Sequence, residues 1–216
     1  MVRWAVARGD LDHNPLDGMK GPAISKPRTR VLSDDEIRAI WHGLNEIRPD
    51  VARVVRFCLA TGQRVGEVTG LQQSELDLRR RVWTIPAERS KNGHSHQVPL
   101  SRMALRLIKE IPAEGFGVSK NVVSDIVWRH QQVTERWTAH DIRRTALTGM
   151  AKLGIAPIVI GHVANHRTTT KAGITLGVYI QHHYEREKRE ALELWADRLQ
   201  GIVSGGADVV SIGAGR

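Results

Sequence analysis

The chain has 216 residues, with 32 Lys or Arg against 23 Asp or Glu, a formal charge of +9. That length can bury a sizeable core, and the charge favours a polyanionic partner, most commonly nucleic acid. A single cysteine, Cys58, rules out an internal disulfide, no apolar run approaches about 18 residues, and MVRWAVARGD holds no hydrophobic signal core. These features exclude a disulfide-stapled secreted scaffold and make a reducing cytoplasm the expected compartment.

In chain order, Met1 to about Arg30 reads as a tail and linker with Pro15, Pro22 and Pro27; Met1–Arg8 suits the last turns of a helix. Ser33-Asp34-Asp35-Glu36 is a capping box ahead of Ile37, Ile40, Trp41 and Leu44 at helical spacing. A second helix is expected from Asp50 to Ala60, with Val51, Val54, Val55, Cys58 and Leu59 inward and Thr61-Gly62 ending it. Val65–Leu71 reads as a further short helix. The period then changes: Arg81–Pro86 alternates as a strand, and His96–Leu100 forms a second extended run. Between them lies a polar turn, Glu88–Ser95, holding the hairpin-type dipeptide Asn92-Gly93. Helices follow at Ser101–Ile111, Ser119–His130, Thr138–Leu153, Ile155–Val163 and about Tyr184–Leu199, before a glycine-rich tail from Gly201 to Arg216. The expected class is mainly α with one small antiparallel β hairpin or sheet.

Three local features carry more chemistry than packing requires. In TGQRVGEVTG (Thr61–Gly70), Arg64 stands just past a glycine-terminated helix, at the foot of the next. In THR-ALA-HIS order, Thr138-Ala139-His140-Asp141-Ile142-Arg143 puts His140 and Arg143 three apart, on one helix face. An imidazole beside a guanidinium suits a phosphate: one group is always charged, and the other can shuttle a proton. Finally, Val163-Ala164-Asn165-His166 is followed thirteen residues later by Tyr179. A phenol with a free pKa of about 10 becomes a useful nucleophile where cations stabilise the phenolate and the phosphorane it forms.

In this order the three features resemble the catalytic domain of the tyrosine recombinases, or phage-type integrases. That family pattern is an arginine in T-G-x-R-x-x-E, a lysine in a β hairpin, an H-x-x-R box, a second histidine or tryptophan, and a late tyrosine. TGQRVGE supplies Arg64 with Glu67, VWTIPAERSKNGHSHQVPLS supplies Lys91, HDIRRTA supplies His140 and Arg143, and ANH supplies His166. The stretch VYIQHHYEREKREALELWADRL is similar to the tyrosine and terminal helix of prophage and satellite-phage integrases. His162, in a G-H spelling, competes with His166; Tyr184 competes with Tyr179 as the nucleophile. The N-H spelling and the spacing favour His166 and Tyr179.

The resemblance, which runs from about Arg30 to Leu199, implies a DNA breaking-rejoining fold and a site-specific recombinase acting in integration or excision of a mobile element. It implies that Arg64, Arg143 and His166 bind one DNA phosphate, and that Tyr179 attacks it to leave a 3′-phosphotyrosyl link and a free 5′-hydroxyl. Lys91 protonates the leaving oxygen, and His140 assists proton transfer. No metal or other cofactor is implied. The partner is double-stranded DNA, with a monomer alone, a tetramer on DNA through the C-terminal segment, accessory DNA-bending proteins possible, and no membrane. The setting implied is a bacterial or phage protein at the nucleoid. Residues 1–30 are similar to the end of a core-binding domain and its linker, with 31–200 catalytic and 201–216 a flexible tail. Full-length relatives carry more at the N-terminus, so a fragment with weak, salt-sensitive binding is expected. The alternatives are an inert DNA-binding remnant and a type IB topoisomerase-like relaxer.

Smaller expectations complete the reading. The connection Ile111–Val118 is shorter than the family's usual one. His94 and His96 are expected near phosphate or in solvent, and the run Glu185–Glu190 is expected to form a solvated helical face. The six tryptophans are expected in the core or at its boundary, with Trp195 docking the last helix beside Leu192 and Leu199. Cys58 is expected to be a small buried apolar residue.

Overall fold

The structure, a computed structural model, describes residues 2–19, 29–109, 111–112, 114–166 and 184–205. Helix α1 (Val2–Ala7) buries none of its side chains. Helix α2 (Asp34–Gly43) starts where the sequence places it. Ser33 Oγ accepts from the Glu36 amide at 3.2 Å while Glu36 accepts from the Ser33 amide at 2.9 Å, so two otherwise orphaned amides at the helix start are satisfied together.

Helix α3 (Pro49–Thr61) is the centre of the molecule. Val51, Val54, Phe57, Leu59 and Ala60 are all essentially inaccessible; Arg53 and Arg56 keep one partly exposed polar stripe, and the wide apolar face is stable only when other elements cover it. Helices α4 (Val65–Thr69), α5 (Arg102–Ile108), α6 (Lys120–Arg129), α7 (Ala139–Lys152) and α9 (Glu185–Ser204) pack around it, while α8 (Pro157–Val163) packs on α7 and α9. Gly62 ends α3 in the left-handed region, at φ +67°, a conformation that costs glycine nothing sterically.

Among the described residues the sheet has three antiparallel strands, β1 (Leu76–Asp77), β2 (Val82–Ile85) and β3 (His96–Pro99), paired Leu76 with Trp83 and Ile85 with His96. The expected hairpin is therefore β2–β3. The added strand β1 spans two residues, too few for an alternating pattern to register. The short connection after α5 is packed: Phe116 lies with its ring centroid 5.9 Å from Phe57, which in turn sits 5.7 Å from Trp83.

Three expectations are corrected. The tail does not begin at Gly201, because α9 continues to Ser204, with Ile202 and Val203 buried and their carbonyls accepting from Arg38 and His42 of α2. Lys188, inside the run expected to be solvated, is buried and donates from Nζ to the Gln97 carbonyl at 2.9 Å. Trp4 and Trp128 are exposed, whereas Trp83, Trp137 and Trp195 are core residues. Helix α1 and helices α2 to α9 otherwise fall within a few residues of their expected ranges.

Trp195 docks α9 as expected: its Nε1 donates to the Leu59 carbonyl at 2.8 Å, and its ring lies against Gly149 of α7. A Cβ at Gly149 would fall 2.2 Å from that ring. Gly149→Ala should therefore lower stability, by about 1–3 kcal/mol through overpacking, despite alanine's higher helix propensity. Gly201→Ala in α9 meets only open space and should be neutral or raise stability by up to about 1 kcal/mol. Urea denaturation midpoints of the two variants check the contrast.

Candidate active site

Arg64 is the N-cap residue of α4, directly after the Gly62-terminated helix. Its Nη1 pairs with Glu67 Oε1 at 2.9 Å, and Glu67 also caps the helix by accepting from the Arg64 amide at 3.3 Å. The buried carboxylate fixes the guanidinium at the lip of a cleft.

Arg143 stands one turn into α7, whose start is set by Thr138 and Asp141 capping each other. It is 3% exposed, and its donors are directed by two carbonyls from distant chain segments: Nη1 to Gly62 O at 2.8 Å and Nη2 to Ala164 O at 2.5 Å. Burial, with Arg64 nearby, pulls its pKa down to about 10. It stays charged at neutral pH, but two guanidiniums held this close favour an anion between them.

His166 follows α8 by three residues, and Arg143 Nη2 lies 3.2 Å from its Nε2. Arginine can only donate, so Nε2 accepts and Nδ1 carries the imidazole proton. Burial first, then Arg143 and Arg64, hold the His166 pKa below its ordinary value. His140 is likewise lowered, by burial and then by Arg144 and Arg143.

Arg64, Lys91, His140 and Arg143 line one cleft of about 570 Å³, together with Glu67, Arg89 and Lys120. Thus the structure brings five of the six sequence-marked positions together, four on the cleft wall and His166 against Arg143. The sixth, Tyr179, lies outside the described residues. The competing residues are elsewhere engaged: His162 and Tyr184 stack on each other with ring centroids 4.5 Å apart. A second groove of about 550 Å³, lined by Leu71, Leu76, Leu78, Leu105 and several arginines, holds none of the marked groups.

Several supporting residues escaped the sequence reading. Gln63 is fully buried, and its Nε2 donates to the Thr61 and Val163 carbonyls at 3.0 and 2.9 Å. Arg89 reaches from the β2–β3 turn to Glu75, whose carboxylate also accepts from Trp83 Nε1. Gln63 stands inside the T-G-Q-R motif, which was its only local signal; Arg89 and Lys120 had none beyond charge.

His96 corrects the sequence expectation. It is 6% exposed, and its Nε2 lies 3.1 Å from the Val163 carbonyl, which it can meet only as a donor. Burial, with Lys188, Arg143 and Arg64 nearby, pushes its pKa down to about 3. Since the unfolded chain takes up a proton near pH 6.5, the folded state is favoured above that pH. The stabilisation is lost as pH falls from 6.5 toward 3. His96→Gln keeps a donor but cannot titrate. Wild-type stability should fall by about 2 kcal/mol more than the variant's between pH 7 and pH 5, at about 1.4 kcal/mol per pH unit. Urea midpoints at the two pH values check it.

Known proteins resemble this chain in sequence and in fold. Residues 30–133 match the model of the phage integrase family, a span that holds Arg64 and Lys91 and stops short of His140. The shufflon-specific DNA recombinase of Escherichia coli is 29% identical over 174 residues, covering 77% of this chain and 44% of that protein. The chain spans about half the length of the curated relatives it matches, 44% and 57% of two of them. Its fold is similar to that of the chain in a lambda integrase dimer bound to a COC′ core site, with TM-score 0.61, 19% identity, and coverage of 78% of this chain and 68% of that one. A lambda integrase tetramer bound to a Holliday junction gives TM-score 0.61, 20% identity, and coverage of 78% and 56%.

Proposed function

We infer that the chain is a member of the tyrosine recombinase, or phage integrase, family, and that it is the catalytic part of a site-specific DNA strand transferase. The observation that carries this reading is the convergence of Arg64, Lys91, His140 and Arg143 on one cleft, with His166 held on Arg143.

Arg64 and Arg143 bind the non-bridging oxygens of one DNA phosphate. Forked guanidinium donors hold that group and offset the charge that grows as it becomes five-coordinate. His166 adds a neutral donor through Nδ1. The Tyr179 oxygen attacks phosphorus, with His140 assisting the phenol proton. The P–O5′ bond breaks, its electron pair stays on the 5′-oxygen, and Lys91 supplies that oxygen's proton. Attack by a 5′-hydroxyl of another strand reverses the step and rejoins DNA without an external energy source.

DNA is the partner on this reading, and the +9 charge supports it. Several copies meet on the DNA during strand exchange, as in the lambda integrase dimer and tetramer. Residues 1–30 serve as the end of a core-binding domain and its linker, and the catalytic unit runs from residue 31 to the end of α9 at Ser204.

The test is a duplex selected for binding from a random-sequence pool, then nicked at successive positions so that the short fragment bearing the new 5′-hydroxyl diffuses away after cleavage. Trapping of a covalent protein–DNA adduct at one nick position is the expected result. Tight binding without adduct at any position would leave an inert remnant, and relaxation of supercoiled DNA without site preference would favour a topoisomerase.

A further inference from the structure

The last turn of α8 is held from three sides. The Val163 carbonyl accepts from Gln63 and His96, and the Ala164 carbonyl accepts from Arg143. The next carbonyl, of Asn165, accepts from Asn92 Nδ2 in the β2–β3 turn. Asn165 then returns the contact, its own Nδ2 donating to Ser90 Oγ at 3.0 Å. Ser90 and Asn92 flank Lys91, and Asn165 directly precedes His166. One residue of the histidine turn therefore grips the lysine turn on both sides of the lysine.

The backbone explains why asparagine stands there. Asn165 has φ +48°, just past the C-cap residue Ala164, a position where glycine is the commonest choice and asparagine the next. Glycine would satisfy the backbone but could not reach Ser90. Ser90 is buried, with 6% exposure, so its hydroxyl has little water to fall back on. Lys91 is exposed and lines the cleft, without a hydrogen-bond or ion-pair partner among the described residues. Where its four-carbon stem begins is set by its neighbours' hold on Asn165.

We propose that Asn165, Ser90 and Asn92 form a positioning latch that registers Lys91 against His166 and Arg143, placing the ammonium at the leaving 5′-oxygen. The proposal rests on the reading of Lys91 as that proton donor. In the step concerned, the P–O5′ bond breaks with its electrons going to oxygen, and Lys91 passes from ammonium to amine as the 5′-hydroxyl forms. The latch residues touch neither substrate nor the reacting atoms; they act through the lysine.

The 216-residue chain is assayed in single turnover on two nicked duplexes of one sequence. One has the ordinary scissile phosphodiester; the other has sulfur in place of the bridging 5′-oxygen. A thiolate departs without a proton, because a thiol is far more acidic than an alcohol. Ser90→Ala and Asn165→Gly remove the same hydrogen bond, the second while suiting the left-handed backbone; Asn92→Ala removes the other. Each should cleave the ordinary substrate roughly 10- to 100-fold more slowly, the loss expected of a misplaced group, and cleave the sulfur substrate at the wild-type rate. The Ser90→Ala/Asn165→Gly pair should be no slower than either alone. Lys91→Ala should show the same sulfur relief, whereas Arg143→Lys should be slow on both substrates. Thermal melting confirms that each variant is folded, and Ser90→Ala, which deletes one oxygen, is the mildest. Latch variants equally slow on both substrates, or slow on neither, overturn the latch while leaving Lys91 in its role. A Lys91→Ala loss that sulfur does not relieve overturns the lysine's role, and the latch with it.

Discussion

Tyr179→Phe is expected to abolish the covalent protein–DNA adduct while leaving DNA affinity unchanged. On the proposed mechanism the loss is total rather than graded, because the deleted atom is the one that bonds to phosphorus. The chain has two tyrosines, Tyr179 and Tyr184, so the assignment is a choice between them. Tyr184 caps α9 with φ +51° and stacks on His162, with the ring planes 30° apart. Tyr184→Phe preserves that stack and should keep the adduct. Gel-resolved adducts on the nicked duplex, with the modified peptide identified by mass spectrometry, check both variants. An adduct that survives Tyr179→Phe and vanishes in Tyr184→Phe would move the nucleophile by five residues.

Arg143→Lys is expected to slow adduct formation by about 10²–10³-fold, the usual loss when one preorganised donor to a developing oxyanion is removed. The substitution keeps the charge and deletes the fork. Arg143 spans the Gly62 and Ala164 carbonyls and presents its remaining N–H groups to the cleft. A single ammonium cannot meet both carbonyls and a phosphate. One buried carbonyl left without a donor costs about 1–3 kcal/mol, so the variant should also melt at a lower temperature. Rates measured well below that temperature separate the two effects. Arg144→Lys, one residue on, is the control: Arg144 pairs with Asp141 at 3.0 Å, and its loss should leave cleavage nearly intact.

The sequence was legible wherever chemistry and local geometry coincide. The Ser33 cap, the helix start at Thr138, the glycine stop at Gly62, the helix face shared by His140 and Arg143, and the β2–β3 alternation are all set within a few residues. What the reading missed is long-range. His96 looked like a turn histidine because its partner, the Val163 carbonyl, is 67 residues away. Lys188 sits in a charged run, EREKRE, where nothing local marks it as the member that turns inward to Gln97. Gln63 and Asn165 stand beside residues with obvious chemistry, and their own roles are hydrogen bonds across 100 and 75 residues. A polar side chain's tertiary partner leaves no periodic trace in its surroundings.

The same distances bear on when the site takes shape as the chain is made. Arg143 is oriented by a carbonyl 81 residues earlier and by another 21 residues later. The helix that seats Trp195 on Leu59 closes a span of 136 residues. Contacts of such separation form late, after much chain entropy has been surrendered. A nascent chain emerged from the ribosome only as far as α7 already holds both arginines and the lysine, yet lacks the Ala164 carbonyl and His166 ring that hold Arg143 and the Asn165 contacts on the lysine turn. On the proposed reading, the phosphate-binding arrangement is therefore assembled only once residue 166 has emerged.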